Sequence, residues 1–323
     1  MQTSPEIINE VANNRYMVVR LNKNNLKDLA NLYSEVYNSQ RPVDYFSKKY
    51  DTAYTGVEYV GYIAYNNNKL PVAYYGVIPC YIQWEKDRIL AAQSADTMTH
   101  PKHRFKGMFV DLSNKTFDLC RELRIRLVFG FPNQNSLHGA VNKLGWKMTE
   151  TMDCFTIKIR GLPFAAFPQK FGLLKFIYLK YSSFILKNKA LPLNGIASSV
   201  LADGYAAVCR SAEYLQNKTY NNTIIIAEED STIWLNIKHN LLIGDMQGVN
   251  ESNFGTVIGR LRRIANKLGI KQIQFHCSPG TSLHKLFSLS YKGTPAFPCL
   301  FQDFDSPIPP EKVKFTLADM DIF

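Results

Sequence analysis

The chain has 323 residues, a hydrophobic content of 46%, a charged content of 20% and a formal net charge of +11. This length is enough for two ordinary domains with a large core, and this composition excludes an intrinsically disordered chain. The positive charge suits an anionic ligand, an acidic substrate or an anionic membrane surface, and does not choose among them.

The first half of the chain alternates between segments typical of strands and of helices. Residues 1–15 are predicted to be a loose polar lead that lacks the apolar core of a signal peptide. The predicted strands, from their apolar and β-branched runs, are 17–21, 58–65, 70–84, 88–99, 126–132 and 146–159. The predicted helices, from their apolar stripes, are 25–37, 108–124 and 133–144, with a short helix and loops in the aromatic-rich segment 38–56.

A basic turn separates the strand that ends near His100 from the helix that begins near Met108. Its sequence is PKHRFKG, residues 101–107. Gly107 would let the backbone approach an anion closely, and Arg104 and Lys106 add charge beside the first N–H groups of the helix. The pattern favours a phosphate-binding loop, and a solvated basic turn is the alternative.

The residues Arg104 to Met108, after a strand that ends in MTHP, resemble the acetyl-coenzyme A signature of the GNAT acyltransferase superfamily, R/Q-x-x-G-x-G/A. The chain departs from the signature at its last small residue, which is Phe109. The resemblance implies an α+β fold (mixed α/β), with a twisted, mostly antiparallel sheet flanked by helices. It also implies acetyl-CoA as co-substrate, and no metal is expected. The residues that it implies for holding the coenzyme are Thr97, Met98, Thr99, Arg104, Phe105, Lys106, Gly107, Met108, Phe109, Asn133, Asn135 and Ser136.

Within that set, each segment has its own expected role. The pantetheine arm would pair with the strand at residues 97–99, as an added strand does, and the pyrophosphate would meet the N–H groups of 105–109. Asn133, Asn135 and Ser136 lie where GNAT proteins often contact the coenzyme, and capping of the next helix explains them equally well.

Acetyl transfer needs a group that deprotonates the acceptor, and Asp96 is the candidate. An acid inside an otherwise apolar strand is costly without a purpose or a partner. The alternative is a salt bridge from Asp96 to one of the many basic residues. Many GNAT enzymes place a tyrosine, as proton donor to the leaving thiolate, where this chain has Val141, so we expect that donor to come from elsewhere, such as the tyrosine-rich 45–65 region.

The second half of the chain repeats the alternation of predicted strands and helices. Strands are predicted at 223–229, 231–238, 241–247 and 270–278, and helices at 254–268 and 282–289. The sequence of residues 123–146 also resembles that of residues 268–291. Leu, Ile, a basic residue and Ser-Leu-His recur in both at near-constant offsets. This pattern predicts tandem GNAT-like units, and the alternative is chance matching of a generic strand–helix pattern. Because residues 244–255 contain no Arg or Lys, only the first unit is expected to hold the coenzyme.

The predicted division of the chain has three parts. Residues 1–160 form a GNAT-like acetyl-CoA-binding domain, 161–220 a basic, aromatic-rich helical connector, and 221–323 a degenerate second half. The connector includes a stretch without a single Asp or Glu, from Cys154 to Ala202, in which Phe and Tyr alternate with Lys. Such a segment can lie on an anionic membrane or grip a lipid-linked substrate through 164–189. The alternative is an interdomain helix that buries its aromatic rings while its lysines reach solvent.

The function predicted from these features is an N-acyltransferase that moves an acetyl group from acetyl-CoA to an amine acceptor. The acceptor is an amino sugar of a surface glycan, a peptide or a small amine, and one variant is a peptidyl transferase that uses aminoacyl-tRNA. The competing hypothesis is a non-catalytic module that binds a coenzyme A ester or bridges partners. No specific nucleic-acid binding is expected, because the basic residues are dispersed. The scattered cysteines and the lack of an apolar run of about 18 residues predict a cytoplasmic protein, with contact to a membrane surface left open.

Overall fold

The computed structural model describes residues 16–162, 164–166 and 172–323. It has the predicted mixed α/β fold, with a large, mostly antiparallel sheet flanked by helices. The predicted polar lead, 1–15, lies outside the described residues, and so do residues 163 and 167–171 of the predicted connector.

Most predicted helices and strands lie close to their predicted bounds, whereas the strands at 190–191, 207–208 and 293–303 and the helices at 199–202 and 212–217 were not predicted. The strands are β1 Met17–Arg20, β2 Val60–Tyr65, β3 Pro71–Trp84, β4 Asp87–Thr99, β5 Leu127–Gly130, β6 Lys147–Lys158, β7 Ala190–Leu191, β8 Ala207–Val208, β9 Thr223–Glu228, β10 Ser231–Ile237, β11 Leu241–Gln247, β12 Gln272–Cys277 and β13 Gly293–Asp303. The helices are α1 Leu26–Tyr37, α2 Val43–Tyr50, α3 Met108–Glu122, α4 Gln134–Leu144, α5 Gly172–Leu186, α6 Ser199–Ala202, α7 Ala212–Asn217, α8 Phe254–Lys267 and α9 Ser282–Ser290.

The chain folds into two compact units, each of which is discontinuous in sequence. The first unit comprises the residues up to Ile82 together with Arg88–Met148 and Leu300–Pro307, and the second comprises Gln83–Asp87, Thr149–Cys299 and Ile308–Phe323. Most of β6 therefore belongs to the second unit, and the end of β13 belongs to the first. The predicted functional division at residues 160 and 220 stays a prediction.

In the first unit the strands lie in the order β1, β2, β3, β4, β5, β13. The parallel contact is between β4 and β5, where Ala91, Ala92 and Gln93 pair with Leu127, Val128 and Phe129. The last strand, β13, pairs antiparallel with the other edge of β5 through Leu300–Asp303. Both edges of β5 are thus occupied, whereas β4 continues six residues beyond Gln93, its last residue paired with β5.

Both faces of this first sheet are covered. Successive side chains on a strand point to opposite faces, so neighbouring residues of β3 pack in different cores. On β3, Tyr75 and Val77 pack in the core that includes Leu112 and Phe117 of α3. Their neighbours Tyr74 and Ile78 pack in a separate core formed with the helices α1 and α2, whose members include Leu29 and Phe46. The helices that flank β4 are therefore fixed from both sides of the sheet.

In the second unit the strands lie in the order β6, β12, β11, β10, β9, β7. The strands β11 and β12 are parallel and pair at Leu241–Ile273, Leu242–Gln274 and Ile243–Phe275. β6 pairs antiparallel with the other edge of β12. One face of the sheet carries the largest core of this unit, which includes Val257, Leu261 and Ile264 of α8 and Leu283 and Phe287 of α9.

The final segment of the chain, 308–323, is anchored inside the second unit. The buried guanidinium of Arg210 contacts the carboxylates of Asp245 and Asp319. The ring of Phe323 is fully buried, stacks edge-on against Trp234 and occupies the space that a Cβ at Gly244 would need. Gly244 is the extra residue of an irregularity in β11, where the pairing with β10 shifts between Trp234 and Leu235.

We predict that Phe323→Ala destabilises the protein by about 3–5 kcal/mol, because it removes a buried ring and leaves a cavity against Trp234 and Gly244. The matched control is Ile322→Ala, since Ile322 is 48% exposed, and it is expected to cost no more than about 0.5 kcal/mol. Urea unfolding of both variants measures the difference. Equal midpoints for the two variants would contradict the anchoring role of Phe323.

Candidate functional site

The backbone of the basic turn is shaped by two residues with positive φ. A 3-10 turn covers Pro101–His103, Phe105 has φ +63° and Gly107 has φ +81°. Gly107 is the residue before α3, and no side chain caps the helix there. A Cβ on Gly107 would meet only Asp111 Oδ2, at 3.6 Å. Glycine is therefore favoured here by the left-handed backbone rather than by a lack of space.

The side chains of the turn leave positive charge at the surface near the start of α3. Arg104 and Lys106 are exposed, and Arg104 Nε donates to the carbonyl oxygen of Thr99 at 3.4 Å. Tyr16 lies beside them, with its hydroxyl 2.9 Å from His103 Nδ1 and its ring 6.0 Å from Lys106 Nζ. Burial, and then the charge of Lys106, lower the pKa of His103, so the neutral ring can accept the Tyr16 hydroxyl.

The three apolar residues of the predicted loop have different surroundings. The side chain of Phe105 is fully exposed, whereas Met108 is buried in the core beneath α3. The ring of Phe109 packs on α4, where its Cε1 lies 3.0 Å from the position that a Cβ on Gly139 would take. Phe109, the residue that departs from the GNAT signature, therefore directs its bulk to a helix contact.

The start of α3 carries backbone amide groups without partners inside the helix. The first N–H groups of an α-helix have no partner within the helix. Within the described chain, the hydrogen bonds that reach back to Gly107 begin only at Val110 and Asp111, whose N–H groups donate to the Gly107 carbonyl. Residues 104–107 of the adjoining turn are exposed. The corner can therefore take a phosphate on backbone amides, with Arg104 and Lys106 beside it.

The predicted pantetheine-pairing residues lie at the end of β4. Thr97 and Thr99 are half-buried, and Met98 is buried in the core beneath α1 and α2. Met98 can therefore contribute only its backbone to a ligand. The hydroxyl of Tyr37, from the end of α1, donates to the carbonyl oxygen of Thr97 at 3.3 Å. The position of Tyr37 at the end of a predicted helix gives no hint of this contact.

The predicted general base, Asp96, has a left-handed backbone (φ +51°) three residues before the end of β4. Its Oδ2 accepts from Lys49 Nζ at 2.7 Å and from the Tyr50 hydroxyl at 2.8 Å. Burial, and then the charge of Asp96, raise the pKa of Tyr50, so its phenol stays protonated and donates. The salt bridge named as the alternative is thus present, and a catalytic role for Asp96 stays a prediction.

The two partners of Asp96 were missed in the sequence. Lys49 is 1% exposed, which is rare for a lysine without a paired charge. A signal did exist, because Phe46, Lys49 and Tyr50 share one face of α2 at i, i+3 and i+4 spacing. A lysine between two buried aromatic residues needs a buried carboxylate, and Asp96 was the acid placed in an apolar strand.

The polar residues at the start of α4 act as helix caps. Asn133 is the residue before the helix, and its side-chain oxygen accepts from the N–H groups of Asn135 (2.9 Å) and Ser136 (3.1 Å). The side chain of Asn135 is exposed, and that of Ser136 is half-buried. Capping therefore accounts for Asn133, and contact of these three residues with the coenzyme stays a prediction.

The position at which the GNAT resemblance implies a tyrosine carries an exposed aliphatic side chain. Val141 is 38% exposed on α4. Of the tyrosines expected to replace it, Tyr50 donates to Asp96 and Tyr65 donates to Asp28. In the part of the chain that the structure describes, no group of three His, Cys, Asp or Glu side chains could hold a metal ion.

The comparison with family models finds a match in the first half of the chain. Residues 18–149 match the acetyltransferase (GNAT) domain. This range contains β1 to β5 and the whole of the loop and strand described above. No protein of curated function matches the chain by sequence.

Solved structures match over most of the chain at low identity. A GCN5-related N-acetyltransferase from Kribbella flavida matches with a TM-score of 0.57 and 12% identity, and one from Anabaena variabilis with 0.56 and 14%. A protein of Enterococcus faecalis described as a probable N-acyltransferase matches with 0.60 and 12%. Each match covers 90% of this chain and 73% of the other. At this identity the likeness shows a shared fold.

We predict that Lys49→Ala destabilises the protein by about 3–5 kcal/mol, because it leaves the Asp96 carboxylate buried without its counter-charge. The neighbouring lysine provides the control. Lys48 is half-exposed and pairs with Asp44 on the helix surface, so Lys48→Ala should cost at most about 0.5 kcal/mol. Chemical denaturation measures both.

The double variant Lys49→Met with Asp96→Asn removes both charges of the same pair. It is expected to recover part of the stability lost in Lys49→Met alone, because no unpaired charge is left in the core. Additive losses in this double-mutant cycle would show that the two side chains are not coupled.

Proposed function

We propose that the chain is a GNAT-type N-acetyltransferase that moves an acetyl group from acetyl-CoA to an amine acceptor. The observation that carries the proposal is the juxtaposition of two features inside the matched domain. The first is the start of α3, which is preceded by Gly107 and by exposed basic side chains. The second is the strand β4 before it, which extends six residues past its last residue paired with β5. The start of the helix would bind the pyrophosphate of coenzyme A, and the strand would bind its pantetheine arm, which is an extended amide chain.

The pyrophosphate would be held by the amides of residues 105–109. Its charge favours the start of α3, where the helix dipole is positive and N–H groups lack partners within the helix. Arg104 and Lys106 would add charge-assisted contacts. Both side chains are exposed, so neither must leave a buried position to reach a ligand.

The pantetheine arm would lie along the edge of β4 at Thr97, Met98 and Thr99. An extended amide chain can add to a strand edge through main-chain hydrogen bonds. The parallel pairing of β4 with β5 ends at Gln93, and β5 itself ends at Gly130. The edge of β4 beyond that point would face the arm, and the carbonyl oxygens of Thr97 and Thr99 there also accept from the Tyr37 hydroxyl and Arg104 Nε. Asn133, Asn135 and Ser136 at the start of the next helix would be further contacts.

The transfer step itself forms one bond and breaks one. The acceptor amine loses a proton, its nitrogen bonds to the thioester carbon, the carbon–sulfur bond breaks, and the thiolate of coenzyme A takes up a proton. Asp96 is the proposed base, acting directly or through water. Because Asp96 Oδ2 already pairs with Lys49 Nζ, the effect of Asp96 on the rate is the point to be measured.

The second half supports a single coenzyme site per chain. β11 and β12 are parallel over three residue pairs, as are β4 and β5. Beyond those pairs the edge of β12 is occupied by the chain itself, because Ser278 N–H donates to the Phe315 carbonyl at 2.9 Å and Cys277 bridges to Thr316. We therefore interpret residues 221–323 as a degenerate GNAT-like half of a tandem pair.

The alternative function is a GNAT-like module that binds a coenzyme A ester without turnover. The aliphatic Val141 at the usual proton-donor position and the ion-paired state of Asp96 favour it. Release of free thiol from acetyl-CoA, measured over a panel of amino sugars, peptides and small amines, separates the two functions. Saturable binding with no thiol release for any acceptor would support the module.

We predict that Arg104→Ala with Lys106→Ala weakens coenzyme A binding by about 2–4 kcal/mol, because charge-assisted contacts to the pyrophosphate are lost. Isothermal calorimetry with acetyl-CoA measures the affinity. The matched control is Lys115→Ala with Arg121→Ala, which removes the same charge from the later turns of α3. Equal affinity of both variants and the unmodified protein would remove the loop from the site.

The conformation of the loop is tested separately by Gly107→Ala. Gly145, the residue after α4, has φ +68° and nothing within 4 Å of its Cβ position, so Gly145→Ala adds a similar backbone strain elsewhere. Both variants should lose about 1 kcal/mol of stability. Only Gly107→Ala should also weaken coenzyme binding, because only that strain displaces the amides at the start of α3.

We predict that Asp96→Asn lowers the turnover number and leaves the dissociation constant of the coenzyme nearly unchanged, because the change removes a proton acceptor and leaves the loop intact. Steady-state kinetics and calorimetry on the same preparation measure the two quantities. Full activity of the variant would exclude Asp96 as the base while leaving the proposed transferase in place.

A further inference from the structure

The helix α5 exposes a large apolar surface. The side chains of Phe176, Ile177 and Phe184 are 55%, 54% and 74% exposed. Further apolar side chains with large exposed fractions on the same helix are Leu174, Leu179 and Tyr181. Exposed apolar residues of this size, gathered on one short helix, indicate a surface that binds something.

The orientation of α5 is fixed by contacts on its other side. The hydroxyl of Tyr178 donates to the Leu268 carbonyl at 3.0 Å, and that of Tyr181 donates to the Lys267 carbonyl at 2.8 Å. Ser182 and Leu186 are buried on this side, and Leu186 belongs to the main core of the second unit. Because this side is anchored, the rings of Phe176 and Phe184 face outward.

The charge around this surface has one sign. The sequence from residue 154 to residue 202 contains no Asp or Glu. On the helix, Lys180 is exposed with its Nζ 4.6 Å from the centre of the Phe176 ring, and Lys187 is exposed just after the helix ends. Lysines and aromatic rings mixed on one face are typical of helices that lie in the interface of an anionic membrane.

We propose that α5 docks this protein on the surface of an anionic lipid bilayer, with Phe176, Ile177 and Phe184 inserted among the lipids and Lys180 and Lys187 against their phosphates. A helix of 15 residues is about 22 Å long, which is too short to span the hydrocarbon core, and no helix in the described ranges is long and apolar enough to cross a membrane. A second copy of the chain is a poorer occupant, because pairing two such faces would oppose lysines with no acid to neutralise them.

Flotation of the full chain with vesicles tests this proposal. We expect binding to phosphatidylcholine vesicles that contain phosphatidylglycerol, weaker binding to phosphatidylcholine alone, and loss of binding as salt is raised. The variant Phe176→Ser, Ile177→Ser, Phe184→Ser should lower the partition coefficient by about tenfold or more. Lys180→Glu with Lys187→Glu should abolish the preference for the anionic vesicles.

The control variant carries Leu70→Ser and Leu289→Ser, which remove exposed apolar side chains outside α5 and should leave vesicle binding unchanged. Thermal melting checks that every variant is folded, which is expected because the substituted side chains are exposed. The proposal is overturned if the unmodified protein does not float with anionic vesicles, or if the triple variant floats equally well. It is also overturned if analytical ultracentrifugation finds a dimer that the triple variant abolishes, since the occupant is then a second copy.

Discussion

The first unit depends on a constraint in its central strands: β4 and β5 stay paired for only three residues. A strand that leaves its neighbour exposes backbone groups that need partners. Beyond the paired residues, Asp96 takes a left-handed conformation, which costs free energy in a strand even though Asp tolerates it better than most residues. The buried contacts with Lys49 and Tyr50 hold that conformation in place. The ion pair between Lys49 and Asp96 therefore stabilises the backbone of β4 just before residues 97–99, where the coenzyme is proposed to pair.

The periodic segments of the sequence were predicted well, because their patterns are local. The strands around the Asn66–Asn68 turn, the helices α3, α4 and α8, and the loop between β4 and α3 all lie within a few residues of their predicted bounds. The strand β13 was missed, because Pro295 and Pro298 interrupt its apolar run and a proline within a run argues against a strand. Its partner β5 is also far away in the sequence, and local patterns carry no information about such pairing.

The candidate site could be predicted only where a residue's chemical type stands out against the pattern of its neighbours in the sequence. Gly107 with its cations is a local signal, and Asp96 stood out as an acid among apolar residues. What Asp96 contacts could not be predicted, because α2 reaches it from nearly fifty residues away. The departure at Phe109 also needed the structure, since only the contact with Gly139 explains how a large ring fits the first turn of α3.

Each unit contains two parallel strands that pair over only three residues, and the two units differ in what covers the strand edge beyond those residues. In the second unit, β11 and β12 also pair over three residues, and the edge of β12 that follows is satisfied by Phe315 and Thr316 of the same chain. The buried contacts of Arg210 with Asp245 and Asp319 fix that segment, so the edge is covered whether or not a ligand is present. In the first unit the corresponding edge of β4 is the one proposed for the coenzyme. A ligand that binds only the folded state stabilises it in proportion to the logarithm of its concentration, so the stability of the first unit should depend on the coenzyme in a way that the second unit's does not.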